Sequence, residues 1–437
     1  RSFPDRLIGV GMLEMRHGEC ASAKKHLQGC LEFRGSRELE AKAELVVLNC
    51  DFGLWAMEHP VPFDPQNLGA ASNSSFPEYF PCITTDDQTL LYTRRIDDQQ
   101  AYMGIQEDFY VSDRKDGEWA QSRNLGSPIN SHHNEGAPTL SADGQTLIFT
   151  ACEAIDGSYG DGRRGRGSCD LFYTYKVGQN WKKPVNIGKP INSGNWETQP
   201  SFSADGSTLY FVRGVMDGNN RVNTGDIYVS KLTEGGYWDT PRKLGPNINT
   251  AADEASVQIH PDGKTLYFSS NGHVGMGGLD IYMSKMNENG EWGKAINLGY
   301  PINTWGEENS LLVSASGEIA YFASDREGGF GDLDLYSFEM PENLQPEAVT
   351  YMKGTVYDIN TKDKLEATFE LIDLETNKVA VRSYSNPLSG EFLVSLPVNR
   401  EYALNVSRQG YNFFSENFEL KAGSLSKPFL KDVPLVP

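Results

Sequence analysis

Between Leu39 and Met57 apolar residues fall at alternating steps of three and four, at Leu39, Ala43, Val46 or Val47, Cys50, Leu54 and Met57. That stripe predicts an amphipathic helix. Upstream, Leu7, Val10 and Leu13 form one short apolar face, and Ala23, Leu27 and Cys30 form another after Gly18. Residues 5–57 therefore read as helical. Past Pro62 the period shortens. The runs Thr146-Leu147-Ile148-Phe149, Thr208-Leu209-Tyr210-Phe211 and Thr265-Leu266-Tyr267-Phe268 each follow an Asp-Gly pair, Asp143-Gly144, Asp205-Gly206 and Asp262-Gly263. Asp-Gly suits a tight hairpin because glycine tolerates positive φ, so each run is expected to be the second strand of a hairpin.

These strands belong to a repeat. The phrase Asn67-Leu68-Gly69 leading to Asn73 returns from Asn124 to Asn130, Asn186 to Asn192, Lys243 to Asn249 and Asn297 to Asn303, at spacings of 57, 62, 57 and 54 residues. Five residues after each closing Asn stands a Glu: Glu78, Glu135, Glu197, Glu254 and Glu308. A third strand opens on Asp108, Asp170, Asp226, Asp280 or Asp334, and a fourth segment carries Trp119, Trp181, Trp238 or Trp292. Four short strands per unit of about fifty residues is the signature of a β-propeller blade. The last set, ending near Phe338, has no fourth strand behind it, whereas a spare one lies at residues 62–69. Closing the ring with that spare strand removes the open edges, which predicts five blades. A residue present once per blade serves the blade, so the recurring Glu, Asp and Trp are expected to bond backbone groups or wedge between sheets.

The fold class expected is mainly β. It comprises a helical segment resembling the end of a tetratricopeptide array (1–58), a five-bladed WD-repeat-like propeller (62–340, with 62–69 closing the last blade) and a C-terminal sandwich (349–428). The sandwich follows from alternating strands at Gly354–Tyr357, Ala367–Ile372, Gly390–Leu396 and Tyr402–Val406. Residues 429–437 are assigned as a linker toward a further domain. One helical repeat cannot bury its face alone, so more repeats are expected ahead of Arg1.

Composition narrows the partners. Lys and Arg total 39 against 59 Asp and Glu, a formal charge of −20, and such a surface repels phosphate backbones and anionic lipid. No nucleic acid is expected as a partner. No stretch approaches the roughly 18 apolar residues of a membrane span.

The order of parts resembles the OmpA-family periplasmic proteins of the Bacteroidetes type IX secretion system, of the PorE type. The residues carrying the likeness are the Asn-Leu-Gly phrases, the Ser-Ala-Asp-Gly turns, Ser269 to Asp280, Tyr351 to Val356, and Gly410 to Ser415 after the Leu396-Pro397 turn. The resemblance implies a transthyretin-like, carboxypeptidase-regulatory-like sandwich and a non-enzymatic scaffold associated with the outer membrane. Its partners would be secretion and envelope proteins, met through propeller loops and helices. No OmpA-type domain is present, so peptidoglycan contact would need a domain this sequence lacks. The cysteines bear on the compartment separately. Cys152 ends one strand and Cys169 opens its neighbour, so an antiparallel hairpin would place them within reach of a disulfide. Cys20, Cys30, Cys50 and Cys82 are assigned to apolar packing.

Little in the chain points to reaction chemistry: there is no His-Glu-x-x-His, nucleophile elbow or phosphate-binding loop. No cofactor, catalytic residue or metal is expected; His132 and His133 are the weak metal candidates. The basic loop with Arg163, Arg164 and Arg166, and the glycine-rich loop with His273 and Met276, are the candidate interaction loops. They belong to the face with the long variable connections, Arg94–Glu107, Glu153–Ser168 and Arg213–Gly225. The main expectation is a non-enzymatic adaptor. The alternative is a glycan- or peptide-binding propeller, and the third reading is a propeller hydrolase.

Overall fold

A computed structural model describes residues 3–32, 36–98, 104–154, 156–216, 222–233, 235–420 and 429–437. Three helices, α1 (Phe3–Arg16), α2 (Cys20–Glu32) and α3 (Arg37–Glu58), come first. Ser36 caps α3 by accepting from the Leu39 N–H. Ile8, Met15, Ala23, Leu27, Ala43, Val46 and Cys50 form the core between the helices. None of them is long and apolar enough to cross a membrane, among the described residues.

The middle of the chain is propeller-like. Consecutive antiparallel units begin at Glu78–Ile83, Glu135–Leu140, Trp196–Phe202, Glu254–Ile259 and Leu312–Val313, and each runs outward through two longer strands to a short fourth. In the last unit the fourth strand is Gln66–Asn67, paired with Ser337 and Tyr336. The second and third units are joined by a parallel pairing of Trp196 with Cys169.

The repeated phrase turns out to be a hydrogen-bond module. Its closing Asn bonds both backbone groups of one residue in the preceding unit: Asn130 with Phe109, Asn192 with Leu171, Asn249 with Ile227 and Asn303 with Ile281. Asn73 does the same to Leu335, 262 residues away. Each Glu accepts the backbone N–H and hydroxyl of the Ser or Thr four residues before it, as Glu197 does from Ser193 at 3.0 and 2.5 Å.

Two residues beyond each Glu the backbone turns left-handed, at Phe80, Ala137, Gln199, Ser256 and Ser310. Such a conformation costs of order 1–3 kcal/mol at a non-glycine residue unless surroundings hold it. Here neighbouring units supply partners: the Ala137 N–H donates to Thr93, Gln199 to Thr150 and Ser256 to the Gln199 side chain. Two residues further on, side chains stitch unit to unit. Cys82 Sγ accepts from the Leu140 N–H, Thr139 from Phe202, Ser201 from Ile259, and Gln258 exchanges two bonds with Val313. Cys82, assigned above to apolar packing alone, is thus one of these acceptors. The equivalent position in the fifth unit is Leu312, which has no polar side-chain atom to offer.

The C-terminal part has two sheets. One centres on Val349–Asp358 beside Glu391–Pro397; the other runs Lys378–Tyr384, Thr368–Asp373, Arg400–Ser407, Phe414–Leu420. Met352, Val356, Phe369, Phe392, Tyr402 and Leu404 are buried in a single core. The assignment of 429–437 as a linker is corrected: Phe429–Leu430 and Val433–Leu435 pair in parallel with Val349–Asp358. The cause is burial of Val433 and Leu435, at 0% and 1% exposure, in that core.

Both faces of the ring carry neighbours. On one, Asn49 of α3 accepts from the Gly275 N–H, and Trp305 lies against Gly18 and Gly53. A Cβ on Gly53 would come within 2.3 Å of the indole, so only glycine lets α3 approach. On the other face, Ser395 bonds Thr85, Asn386 bonds Gln145, and Lys264 pairs with Glu347.

Candidate functional site

With both faces partly covered, open concavity lies at the rim, between the third and fourth units. A cavity of about 870 Å³ there is lined by Tyr210 of the third unit, its outer strand Arg242–Lys243, and the 286–294 connection of the fourth. Asn287 shapes that connection by accepting the N–H groups of Asn289 and Glu291, with Gly290 at φ +78°. The turn presents Trp292, whose ring meets Tyr210 edge-on with centroids 6.1 Å apart. Asn247 donates to the Trp292 carbonyl at 2.8 Å. A second cavity of about 460 Å³ shares Pro246, Asn247 and Lys294 with the first and is lined further by Phe52 of α3, His273, Tyr282 and Asn297. The His273 ring contacts the Ile248 carbonyl through Nε2, and Tyr282 donates to the His273 carbonyl.

The charge of this cleft opposes that of the whole protein. Lys231, Arg242, Lys243 and Lys294 line it and are exposed, against one acid, Glu291. Lys243 is held at 2.7 Å by Asp226. In three other units an Asn stands at the Lys243 position and donates to the repeated Asp: Asn67 to Asp334, Asn124 to Asp108 and Asn186 to Asp170.

The fourth unit departs from that pairing. Asn297 and Asp280 occupy the same positions, yet neither Asn297 Nδ2 nor Asp280 Oδ1 has a hydrogen-bond partner. Burial, followed by the Glu308 charge, pushes the Asp280 carboxyl up to about 8, while N–H donors from Met276 and Gly277 pull the other way. The folded chain thus keeps this proton up to about pH 8, whereas the unfolded chain loses it near pH 4, so stability falls as pH rises through that window. Asp280→Asn is expected to be more stable than the native chain at pH 9, by about 2 kcal/mol or more. At pH 5 the difference should be smaller by several kcal/mol, because the folded chain still holds the proton. Thermal unfolding at both values checks this, and an unchanging difference would refute it.

The sequence-based candidates distribute unevenly around this cleft. His273 lines it; Met276 is fully buried beneath its loop and cannot meet a partner. Arg164 and Arg166 are exposed. Arg163 is corrected from interaction loop to interior: its side chain is fully buried, bonded to Glu135 at 2.5 Å and to the Pro128 and Ile129 carbonyls. The reason lies in the repeat. Glu78 and Glu197 draw a guanidinium from their own sheets, Arg94 and Arg213, but the matching position near Glu135 is Ala151, so the loop supplies one instead. Glu254 has Ser270 in that place. Cys152 and Cys169 are joined by a disulfide at the base of the same loop. His132 is exposed and His133 contacts Ser158, and no group of three potential metal ligands occurs among the described residues. The tips of the Arg94–Glu107 and Arg213–Gly225 loops, at 99–103 and 217–221, lie outside the described residues.

The ring's centre is narrow. Two cavities of about 60 Å³ lie along it, lined by Phe80, Ala137, Gln199, Ser256, Ser310 and their neighbours, and Cys82 is the one titratable side chain in that lining. Sequence reasoning missed the rim cleft. Its visible trace was the phrase beginning with Lys243 where the other four begin with Asn.

No protein-family model matches the chain, and a search of curated proteins returns no match. Solved structures are similar at low identity. A family 117 glycoside hydrolase of Zobellia galactanivorans has TM-score 0.41 and 9% identity, over 65% of this chain and 92% of that one. The β-1,2-mannobiose phosphorylase of Listeria innocua has TM-score 0.39 and 10% identity, over 65% and 92%. A thermostable family-43 glycoside hydrolase has TM-score 0.37 and 12% identity, over 61% and 90%. These are enzymes, and the expectation of a non-enzymatic chain is withdrawn on that finding.

Proposed function

We propose that the chain is a glycan-binding protein built on a five-bladed propeller, and that the glycan lies in the cleft between the third and fourth blades. The observation carrying this reading is the continuous concavity of about 870 and 460 Å³ lined by Trp292, Tyr210, Phe52 and Tyr282 together with the amides Asn247 and Asn297. Each volume lies in the range of ordinary small-ligand sites, about 300–1,000 Å³. The half-buried rings of Trp292 and Phe52, with Tyr210 and Tyr282 buried beneath them, and the amides beside them match the apolar ring faces and hydroxyl edges of a sugar. Trp292 differs here from Trp119 and Trp181, whose rings are covered by Arg114 and Lys176 at 4.4 and 4.8 Å.

Isothermal titration against an oligosaccharide panel tests the proposal. Trp292→Ala is expected to weaken binding about tenfold, the equivalent of about 1.4 kcal/mol, while Trp119→Ala leaves it unchanged. Absence of binding to every oligosaccharide by the native chain would overturn it.

A second reading, an envelope adaptor of the type IX secretion kind in the periplasm, is supported by a different feature. Leu13, Leu48, Leu54, Trp55 and Met57 stand exposed on α1 and α3, as they would at the open end of a helical-repeat array. The disulfide suits an oxidising compartment. Trp55→Glu with Leu54→Glu should abolish recovery of envelope proteins with the purified chain; unchanged recovery would remove this reading.

A further inference from the structure

We infer that the glycan taken by the cleft is an acidic one, bearing carboxylate or sulfate groups along its chain. This rests on the glycan reading above and adds the substrate class. The cleft places Lys231, Arg242 and Lys294 around one concavity with one lining carboxylate, Glu291, beside Lys243, whose charge is paired with Asp226. Elsewhere the chain is acidic, at −20 overall. A concave patch of sign opposite to its surroundings concentrates field lines on itself, drawing an anion there rather than over the surface at large.

One of the cleft's basic side chains is also ordered in advance: Lys243 is fixed by Asp226 at 2.7 Å. Less side-chain freedom is therefore lost when an anion arrives. A second observation points the same way from the inner end of the cleft. Asn297 lines the 460 Å³ cavity, and its buried Nδ2 makes no well-formed hydrogen bond, with only the Tyr282 hydroxyl beside it. A buried N–H left unpaired is costly, and an oxyanion is the strongest acceptor available to it. The neighbouring Asp280 carboxyl, which the same repeat position would make its acceptor, is not bonded to it. Burial keeps that carboxyl largely protonated at neutral pH, so it adds little negative charge to the inner end.

The volume of the cleft suits a few sugar residues, and the surrounding acidic surface would repel the remainder of an extended polyanion. An acidic peptide offers the same charge without the ring face that the half-buried Trp292 would cover.

Titration of the full chain with four ligands decides the matter: an oligogalacturonate tetramer, its methyl ester, a sulfated galactose oligomer and a poly-glutamate peptide. The free uronate or the sulfated oligomer is expected to bind at least tenfold more tightly than the neutral ester, with affinity falling as salt is raised. Whichever of the two binds more tightly identifies the anionic group. Arg242→Ala and Lys294→Ala should each weaken it by threefold or more, and Arg164→Ala with Arg166→Ala should not. Equal binding of ester and free acid overturns the inference and leaves the glycan reading in place. Binding of poly-glutamate with no oligosaccharide bound overturns both.

Discussion

Arg163→Ala should lower the stability of the protein by about 3 kcal/mol, the cost of removing one partner from a buried ion pair. Arg164→Ala and Arg166→Ala, one and three residues away on the same loop, should stay within about 0.5 kcal/mol of the native chain. The contrast follows from where the three side chains lie. Arg163 and Glu135 are both fully buried, and Arg163 also satisfies two backbone carbonyls. Removing it leaves those carbonyls and a carboxyl without their donor. The Glu135 carboxyl is already pushed up to about 7 by burial, against the pull of Arg163 and Ser131. The loss should therefore be smaller at pH 5, where the carboxyl is protonated with or without its partner, and grow as pH rises through 7. Urea unfolding at both pH values measures this. A loss below about 1 kcal/mol at pH 8 would mean the pair is not buried as described.

Leu68→Pro should cost about 3 kcal/mol or more, since it removes an N–H donor and sets a proline ring directly behind the Gln66–Asn67 strand. Leu68 donates to the Leu335 carbonyl at 3.0 Å, next to the pairing of Gln66 and Asn67 with Ser337 and Tyr336. This is the seam at which the chain's early residues meet its fifth four-stranded unit. At the other seams a side chain on the inner strand accepts a backbone N–H from the next unit, but Leu312 offers none there. The ribbon, with Asn67 on Asp334 and Asn73 on Leu335, carries more of the closure. Detaching it exposes the edge of Asp334–Glu339, so the variant should also self-associate. Size-exclusion chromatography and urea unfolding test both parts; a monomer losing under about 1 kcal/mol would show that the ribbon is dispensable.

Local pattern carried much of the architecture. The stripe from Leu39 to Met57 became α3, and the Asp-Gly pairs became the turns between inner and second strands. Recurrence made the roles of Glu78 to Glu308 legible, because a bond made once per unit leaves one residue type at one spacing; the closing Asn residues marked the repeat, but their bonds to the preceding unit emerged only in the structure. Misreadings arose where a blade departs from its own repeat. Arg163 looked like a solvated loop tip, since nothing in Gly160 to Gly167 reveals that Ala151 leaves Glu135 without a cation. Residues 429–437 looked like a linker because two and three residues of strand, paired in parallel with a segment 77 positions earlier, leave no local period.

The sequence by itself determined the iterated four-stranded unit, the spare ribbon that completes it, and the acidic character of the surface. Those features depend on neighbours close along the chain or on counts that no folding alters. Only the tertiary structure decided which of the basic residues are interior, that α3 and the sandwich occupy the two faces of the ring, and that four cations gather with Trp292 at one rim. Each depends on where separate segments meet in space, and the free energy of such a meeting lies in burial and charge pairing between residues whose separation along the chain carries no signal.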